Sequence, residues 1–261
     1  WLAYYISRKI NHHCDIHPSV IQGRPQKTYQ QSIQLQLDKN NDFYGPEGYI
    51  LTINKYSVLL KAQTRQGLFY GLQTIRQLLF ETIKKTATTD GAHGLPVVSI
   101  KDKPRFPWRG LMLDVSRHFM TKEFVKRYIN LLAYHKMNKL HLHLSDDQGW
   151  RIEIKKYPKL VKIGSTRKQK DGSIHSGYYT QNDIREIVSY ARNKFVTIIP
   201  EIDMPCHTIA ALAAYPKLSC TGGPFTIRQK WGIFDEALCI GNPETFTFVK
   251  DILDEIITLF P

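Results

Sequence analysis

The residues best suited to chemistry stand in three clusters, each directly after a short apolar segment. The clusters occupy residues 114–118, 145–150 and 201–207, and His141 and His143 precede the second. Carboxylates, imidazoles and a guanidinium are side chains that bind polar ligands, and the first two also hold metal ions and exchange protons. The clustering therefore favours a binding or catalytic site over a chance scatter of polar residues.

The position of the clusters indicates that they meet in space. If the apolar segments are parallel strands of one barrel, their C-terminal ends lie at one rim, where the sites of such barrels are built. A lone Asp after a strand is more often a helix cap or a turn former than a catalytic group. Three such clusters on consecutive strands are harder to explain in that way. We predict that Asp114, Asp146 and Asp203 lie at the same rim.

His141 and His143 allow two interpretations. At a spacing of two residues they share one face of a strand, so a single zinc ion could bind both. Leucines alternate with them, which indicates that the other face of the strand is packed. We favour hydrogen-bonded histidines, and we expect no metal ion and no other cofactor.

Three βα units must position the clusters. The predicted strands are residues 109–114, 140–144 and 196–200, and the predicted helices are residues 121–136, 180–195 and 242–260. In the first helix we expect Phe124, Tyr128, Leu131 and Leu132 to face inward. Alternation of strand and helix is typical of a parallel α/β fold. Three units are too few to close a (β/α)8 TIM barrel, so we predict the first three βα units of a partial barrel.

The first hundred residues show a different pattern. Residues 32–37 alternate strictly and predict a half-buried strand, residues 49–60 predict a hairpin, and residues 64–80 predict a helix. The prediction is a small α+β domain over residues 1–103, followed by the partial barrel over residues 104–261. The boundary falls where charged residues interrupt the apolar pattern.

Charge and hydropathy bear on the classes of partner. The 261 residues carry a formal net charge of +13, which raises nucleic acid as a partner. The basic residues are scattered among acidic ones, so we expect a solvated basic surface and no nucleic acid. The longest apolar run, residues 252–260, contains two acidic residues, so we expect no membrane span. The oligomeric state stays open.

Cys220 and Cys239 flank a glycine-containing loop. They could pair in an oxidising compartment, and free buried thiols are an equal alternative.

Three segments carry a specific resemblance. They read FPWRGLMLDVSRHF from residue 106, HLHLSDDQGWR from residue 141, and PEIDMPCH from residue 200. In this order they resemble the first three strand signatures of glycoside hydrolase family 20, the β-N-acetylhexosaminidases. Residues 1–80 are similar to the accessory domain that precedes the barrel in that family. The resemblance covers essentially the whole chain.

The resemblance implies exo-hydrolysis of terminal β-linked N-acetylglucosamine or N-acetylgalactosamine, with the carbohydrate as the partner. In this family the 2-acetamido oxygen of the substrate attacks the anomeric carbon with overall retention, an Asp orients that amide, and the adjacent Glu protonates the leaving oxygen. By position, Arg117 should hold the hydroxyls at C3 and C4. Asp146 and His207 should lie against the acid/base Glu, with Asp203 and His143 in support.

The chain departs from the family pattern at Cys206, where the family usually has glycine between proline and histidine. Because glycine adopts a positive φ freely and cysteine does not, we expect strain at Cys206 that affects the placement of His207. Trp150 leaves two interpretations open, a sugar-stacking platform or a lid over the barrel rim.

In the family, the catalytic Asp-Glu pair follows the fourth strand, and we expect that strand to come after Pro261. Asp254 and Glu255 lie inside the last predicted helix and are expected to form a solvated face. We therefore expect a chain that is truncated at both ends and inactive by itself, from a periplasmic or secreted protein. The alternative is a non-catalytic carbohydrate-binding or interaction module on the same scaffold.

Overall fold

A computed structural model describes residues 1–14, 17–23, 32–40, 44–86 and 95–261. Its contacts group into two compact units. The first comprises Trp1–Pro107 with Tyr134–Lys136, and the second comprises Trp108–Ala133 with Met137–Pro261. The domain boundary between residues 103 and 104 stays a prediction.

In its described residues, the first unit contains a four-stranded sheet and two helices. Its elements are α1 (Leu2–Cys14), β1 (Ser32–Leu37), β2 (Tyr49–Ile53), β3 (Ser57–Ala62), α2 (Arg65–Thr86) and β4 (Val98–Asp102). The strand order is β1-β3-β2-β4, in which β1 runs parallel to β3 and β2 runs antiparallel to both its neighbours. Leu51 and Leu60 from the sheet, and Leu72 and Ile75 from α2, are fully buried. The predicted α+β pattern is therefore present here.

The second unit contains three parallel strands, each followed by helical structure. Its elements are β5 (Gly110–Asp114), α3 (Lys122–Tyr134), β6 (Lys139–Asp146), β7 (Gly149–Trp150), α4 (Lys159–Lys162), β8 (Thr166–Lys168), β9 (Ile174–Ser176), α5 (Gln181–Arg192), β10 (Thr197–Ile202), α6 (Ile209–Ala214) and α7 (Pro243–Leu259). The order β10-β6-β5 is parallel throughout, and the short β7 folds back on β6. This is the alternation that the sequence predicts.

The register of the three strands brings polar side chains to one face and one end of the sheet. Asp114 on β5 pairs with His143 on β6, which pairs with Glu201 on β10. His141, two residues before His143, points to the same face because side chains alternate along a strand. Leu142, between them, is buried on the opposite face. The C-terminal end of the sheet thus combines carboxylates from three strands.

Side-chain caps define where two of the helices begin. Thr180 Oγ1 accepts a hydrogen bond from the backbone N–H of Asp183 at 3.1 Å, and Asp183 Oδ2 accepts one from the backbone N–H of Thr180 at 3.1 Å. Asn242 accepts from the backbone N–H of Glu244 at 3.0 Å at the start of α7. Such caps satisfy N–H groups that the first turn of a helix leaves unpaired. None of the described helices combines the length and the apolar content that a membrane crossing requires.

The predicted inner face of α3 is confirmed at Leu132, which is 2% exposed, and is wrong at Phe124 and Leu131. Phe124 and Leu131 are 40% and 53% exposed, whereas Val125 and Ile129 are fully buried together with Leu132. Two apolar stripes run side by side on this helix, so the 3.6-residue period alone does not choose between them. Packing against the sheet selects the stripe that begins at Val125.

Candidate active site at the strand ends

Asp146, the last residue of β6, lies at the centre of the polar network. Its side chain is fully buried, with Oδ2 2.5 Å from Arg117 Nη2 and 2.8 Å from His143 Nε2. Its Oδ1 accepts the backbone N–H of Asp147 at 2.7 Å and lies 3.3 Å from His207 Nδ1. A buried carboxylate stays charged only when it is paired in this way.

The surroundings of Asp146 and Asp147 push their pKa values in opposite directions. Burial raises the pKa of Asp146, but hydrogen bonds from His143 and the backbone, together with the Arg117 charge, outweigh it and hold the pKa below its usual range. Burial also raises the pKa of Asp147, and the neighbouring Asp146 charge raises it further, against a hydrogen bond from Ile209. Opposed shifts in adjacent carboxyl groups are typical of functional sites.

Arg117 is positioned by the turn that follows β5. Asp114 Oδ1 accepts the backbone N–H groups of Ser116 and Arg117, both at 3.0 Å, and Asp114 Oδ2 lies 2.9 Å from Arg117 Nη1. The guanidinium is therefore held between Asp114 and Asp146. The two carboxylates outweigh the effect of burial and raise the pKa of Arg117, which stays charged.

His207 takes the unusual backbone conformation that we expected at Cys206. Its φ is +54°, and Cys206 is not among the described residues with a positive φ. His207 Nδ1 lies 3.2 Å from Asp147 Oδ2. In the turn after β10, the residue with the left-handed backbone conformation is His207. The expected strain at Cys206 was therefore placed one residue too early.

Glu201, which the sequence analysis did not single out, joins the site from β10. Its Oε2 lies 2.6 Å from His141 Nε2 and 2.7 Å from His143 Nδ1. Its carboxyl group lies within 4.8 Å of that of Asp203, and burial together with the Glu201 charge raises the pKa of Asp203. The backbone N–H of Asp203 donates to Ser145 Oγ at 2.9 Å. The position of Glu201 near the end of β10, two residues before Asp203, was the signal that could have revealed it.

Two overlapping groups have the geometry of a metal site. They are His143 with Glu201 and Asp203, and Asp146 with Asp203 and His207, and the ligand atoms of each lie within 4.8 Å of one another. Imidazole and carboxylate ligands suit a divalent transition metal. Of these residues, His143, Asp146, Glu201 and His207 already take part in the ion pairs described above.

Trp150 is a core residue. Its ring is 1% exposed, and its indole N–H donates to the carbonyl of Ile152 at 2.7 Å. A sugar cannot reach this ring, and the ring is not a lid over the rim. Both interpretations offered for Trp150 are wrong, because β7 folds its side chain beneath the strand ends.

A buried arginine, Arg151, supports the loops that carry the site. Arg151 is fully buried and donates to the carbonyls of Ser116 at 2.8 Å, Ser165 at 2.6 Å and Gly177 at 2.9 Å. Burial lowers its pKa to about 10, so it remains charged at neutral pH. These bonds fix the backbone directly before Arg117.

The loop between Cys220 and Cys239 reaches the site. The two cysteines form a disulfide. The expectation of a pair is therefore confirmed, and the alternative of free buried thiols is wrong. Gln148 Nε2 donates to the carbonyl of Lys230 at 2.9 Å. The next residue, Trp231, is 79% exposed and places its ring centre 5.5 Å from the Arg117 guanidinium. The spacing of sequence motifs does not reveal this contact.

Glu255 is not part of a solvated face. It accepts the backbone N–H groups of Lys155 at 2.8 Å and Lys156 at 3.0 Å, and the amide of Gln181 at 2.6 Å. The expectation holds for its neighbour Asp254, which is exposed. Glu255 thus ties α7 to the loop before α4.

The structure brings all five predicted site residues to one rim. They are Arg117, His143, Asp146, Asp203 and His207. Their roles in binding and catalysis stay predictions.

Comparison with known proteins identifies the fold. The description "Glycosyl hydrolase family 20, catalytic domain" matches residues 106–261, and "Glycosyl hydrolase family 20, domain 2" matches residues 16–103. A beta-hexosaminidase of Porphyromonas gingivalis is 46% identical over 215 residues, which is 82% of this chain and 28% of that protein.

Solved structures agree with these matches. The GH20 beta-N-acetylhexosaminidase from Streptomyces coelicolor A3(2) gives a TM-score of 0.87 at 38% identity, covering 100% of this chain and 51% of that one. A mutant Streptomyces plicatus beta-hexosaminidase in complex with its product GlcNAc gives a TM-score of 0.87 at 38% identity, with coverage of 100% and 50%. The chain thus spans about half the length of these structures. The predicted fold class, a partial TIM barrel after a small α+β domain, is confirmed, and the chain belongs to glycoside hydrolase family 20.

Proposed function

We propose that this chain supplies part of the active site of a β-N-acetylhexosaminidase that removes terminal β-linked N-acetylglucosamine or N-acetylgalactosamine. The observation that carries the proposal is the convergence of Arg117, Asp146 and His207 at one rim, with Asp146 2.5 Å from Arg117. The product-bound Streptomyces plicatus enzyme, with the same fold, supports the choice of sugar.

Arg117 is proposed to bind the hydroxyls at C3 and C4 of the terminal sugar. Each of its terminal nitrogens carries two N–H groups. One nitrogen faces Asp114 at 2.9 Å and the other faces Asp146 at 2.5 Å, which leaves N–H groups for a ligand. Because both carboxylates hold the guanidinium in place, its fork is oriented before the sugar arrives.

Asp146 and His207 are proposed to set the proton affinity of the acid/base Glu. In the family mechanism the 2-acetamido oxygen is the nucleophile, and that Glu protonates the leaving oxygen. With His207 Nδ1 directed at Asp146 and Asp147, its Nε2 lies on the opposite edge of the ring and can face the Glu. Asp203 and His143 are proposed to support this arrangement.

We propose that the 261-residue chain does not turn over substrate by itself. It contains two adjacent Asp-Glu pairs, at 235–236 and 254–255. Glu236 pairs with Arg228, and Glu255 holds backbone N–H groups before α4, so both carboxylates already have partners within the protein. Positioned proton transfer contributes about 10² to 10⁴ in rate.

We further propose a periplasmic or secreted location for the protein. The disulfide between Cys220 and Cys239 supports this, since such bonds persist in oxidising compartments.

The test compares this chain with a full-length form that continues beyond Pro261. Both are incubated with an aryl N-acetyl-β-glucosaminide, an aryl N-acetyl-β-galactosaminide and an aryl β-glucoside. We expect the longer form to cleave the acetamido substrates and spare the glucoside, because only the former carry the internal nucleophile. Equal cleavage of the glucoside would refute substrate assistance. Turnover by the 261-residue chain would refute its proposed inactivity.

A further inference from the structure

We propose that Glu201 is a positioning residue, which holds His143 as an imidazolium between two carboxylates so that His143 in turn fixes Asp146. The catalytic consequence rests on the proposed function, because it runs through Asp146. The structural part of the proposal concerns only the charge on His143 and its effect on Asp146.

The geometry leaves a neutral ring without a good arrangement. His143 is 3% exposed, its Nε2 lies 2.8 Å from Asp146 Oδ2, and its Nδ1 lies 2.7 Å from Glu201 Oε2. A neutral imidazole has one N–H group and one lone pair, so one nitrogen would present its lone pair to a carboxylate oxygen. A doubly protonated ring donates from Nε2 to Asp146 and places its positive charge against Glu201, whose Oε2 forms a close ion pair with Nδ1.

The groups around His143 favour a positive charge. Asp146 and Glu201 contact the ring, and Asp114 and Asp203 add negative charge from the ends of β5 and β10. The Arg117 guanidinium lies on the far side of Asp146, and the His141 ring lies on the far side of Glu201. Four carboxylates therefore surround the imidazole of His143, and two of them, Asp146 and Glu201, contact it.

Burial and hydrogen bonding act oppositely on this ring. Burial lowers the pKa of His143, but the hydrogen bonds with Asp146 and Glu201, together with the nearby negative charge, outweigh it and raise the pKa to about 9. At neutral pH the ring is then charged.

The arrangement couples two strands to the catalytic rim. Glu201 is on β10 and His143 is on β6, and the register between these strands shifts directly after Glu201. The ion pair from Glu201 sets the position of the ring, and the ring then occupies one oxygen of Asp146 beside Arg117. A change at Glu201 should therefore reach Asp146 without touching substrate.

The test is nuclear magnetic resonance of the imidazole nitrogens in this 261-residue chain, labelled with ¹⁵N. At pH 7 we expect both nitrogens of His143 to carry protons. His175 is the internal control, because its Nε2 accepts the backbone N–H of Phe119 at 3.0 Å and burial beside Arg167 and Arg151 lowers its pKa to about 4. The same spectrum should show His175 neutral. The signals of His143 are assigned by their loss in His143→Gln.

Two variants test the links of the chain separately. Glu201→Gln should lower the pKa of His143 by roughly one to three pH units, since it removes one contacting charge. His143→Gln should raise the pKa of Asp146 by a similar amount, read from its ¹³C carboxyl signal. His141→Gln is the matched control, because His141 contacts Glu201 but not Asp146, and it should leave Asp146 unchanged.

A singly protonated His143 at pH 7 in the unsubstituted chain would overturn the proposal. An unchanged pKa of Asp146 in a folded His143→Gln would also overturn it. None of these measurements uses a sugar or turnover. Failure here is thus distinct from failure of the proposed hexosaminidase activity.

Discussion

Arg117 Nη2 and Asp146 Oδ2 lie 2.5 Å apart, although Arg117 follows β5, Asp146 ends β6, and the whole of α3 separates them in sequence. The parallel register of β5 and β6 brings their C-terminal ends to the same rim. This pair gives the site a charged hydrogen-bonding fork beside a buried carboxylate, and it is the starting point of the predictions below.

Arg117→Lys should weaken sugar recognition in the full-length enzyme. A lysine keeps the charge but cannot donate to two neighbouring hydroxyls from a planar fork. We expect KM to rise and kcat/KM to fall by about tenfold to a hundredfold, which corresponds to losing roughly 1.5 to 3 kcal/mol of charged hydrogen bonding. Arg185→Lys on α5, whose guanidinium contacts Asn182 at 3.1 Å, is the control. Unchanged kinetics in Arg117→Lys would contradict the assigned role.

His207→Ala should lower kcat more than it raises KM. His207 is directed at Asp146 and Asp147 rather than at the hydroxyls of the sugar. Its loss should therefore act through the acid/base Glu and move the acid limb of the pH profile. Steady-state kinetics from pH 4 to pH 8 with a chromogenic N-acetylglucosaminide provide the check. A change in KM alone would be inconsistent with this role.

Asp146→Asn should destabilise this chain at neutral pH by about 3 to 5 kcal/mol, because it leaves the charges of His143 and Arg117 without their shared partner. The pKa of Asp146 is lowered in the folded state. Ionised Asp146 therefore adds stability above its unfolded pKa of about 4, and this is lost as the pH falls through the lower folded value.

Urea unfolding at pH 7 and at pH 3 measures both effects. The difference between Asp146→Asn and the unsubstituted chain should be largest at pH 7 and should shrink at pH 3. Asp254→Asn, at an exposed position of α7, should stay within about 0.5 kcal/mol of the unsubstituted chain. A difference that does not depend on pH would argue against an ionised Asp146.

Replacing Cys220 and Cys239 together by serine should lower stability by about 3 kcal/mol, as expected for opening a loop of this length. Thermal unfolding with and without a thiol reductant checks the effect. Reductant should lower the Tm of the unsubstituted chain and leave the double variant unchanged. Cys206→Ser, which removes an exposed free thiol, should respond to reductant as the unsubstituted chain does.

Several features of the fold and the site followed from residue order alone. Periodicity was sufficient for the strand and helix pattern, because a period of two or 3.6 residues is a local property of the chain. The three motifs were sufficient to place Asp114, Asp146 and Asp203 at strand ends, since each motif directly follows its strand. The predicted helices over residues 180–195 and 242–260 likewise begin at Thr180 and Asn242, where the structure has the helix caps.

Tertiary packing decided the remainder. On α3, Val125 is fully buried and the neighbouring Phe124 is 40% exposed, a difference that the 3.6-residue period alone does not predict. Glu201 became part of the site because the register of β10 on β6 sets it beside His143. The burial of Trp150 and the engagement of Glu255 likewise depend on segments far away in the chain. Local patterns determine whether a segment forms a strand or a helix. Burial and ion pairing depend on which distant residues pack against that segment.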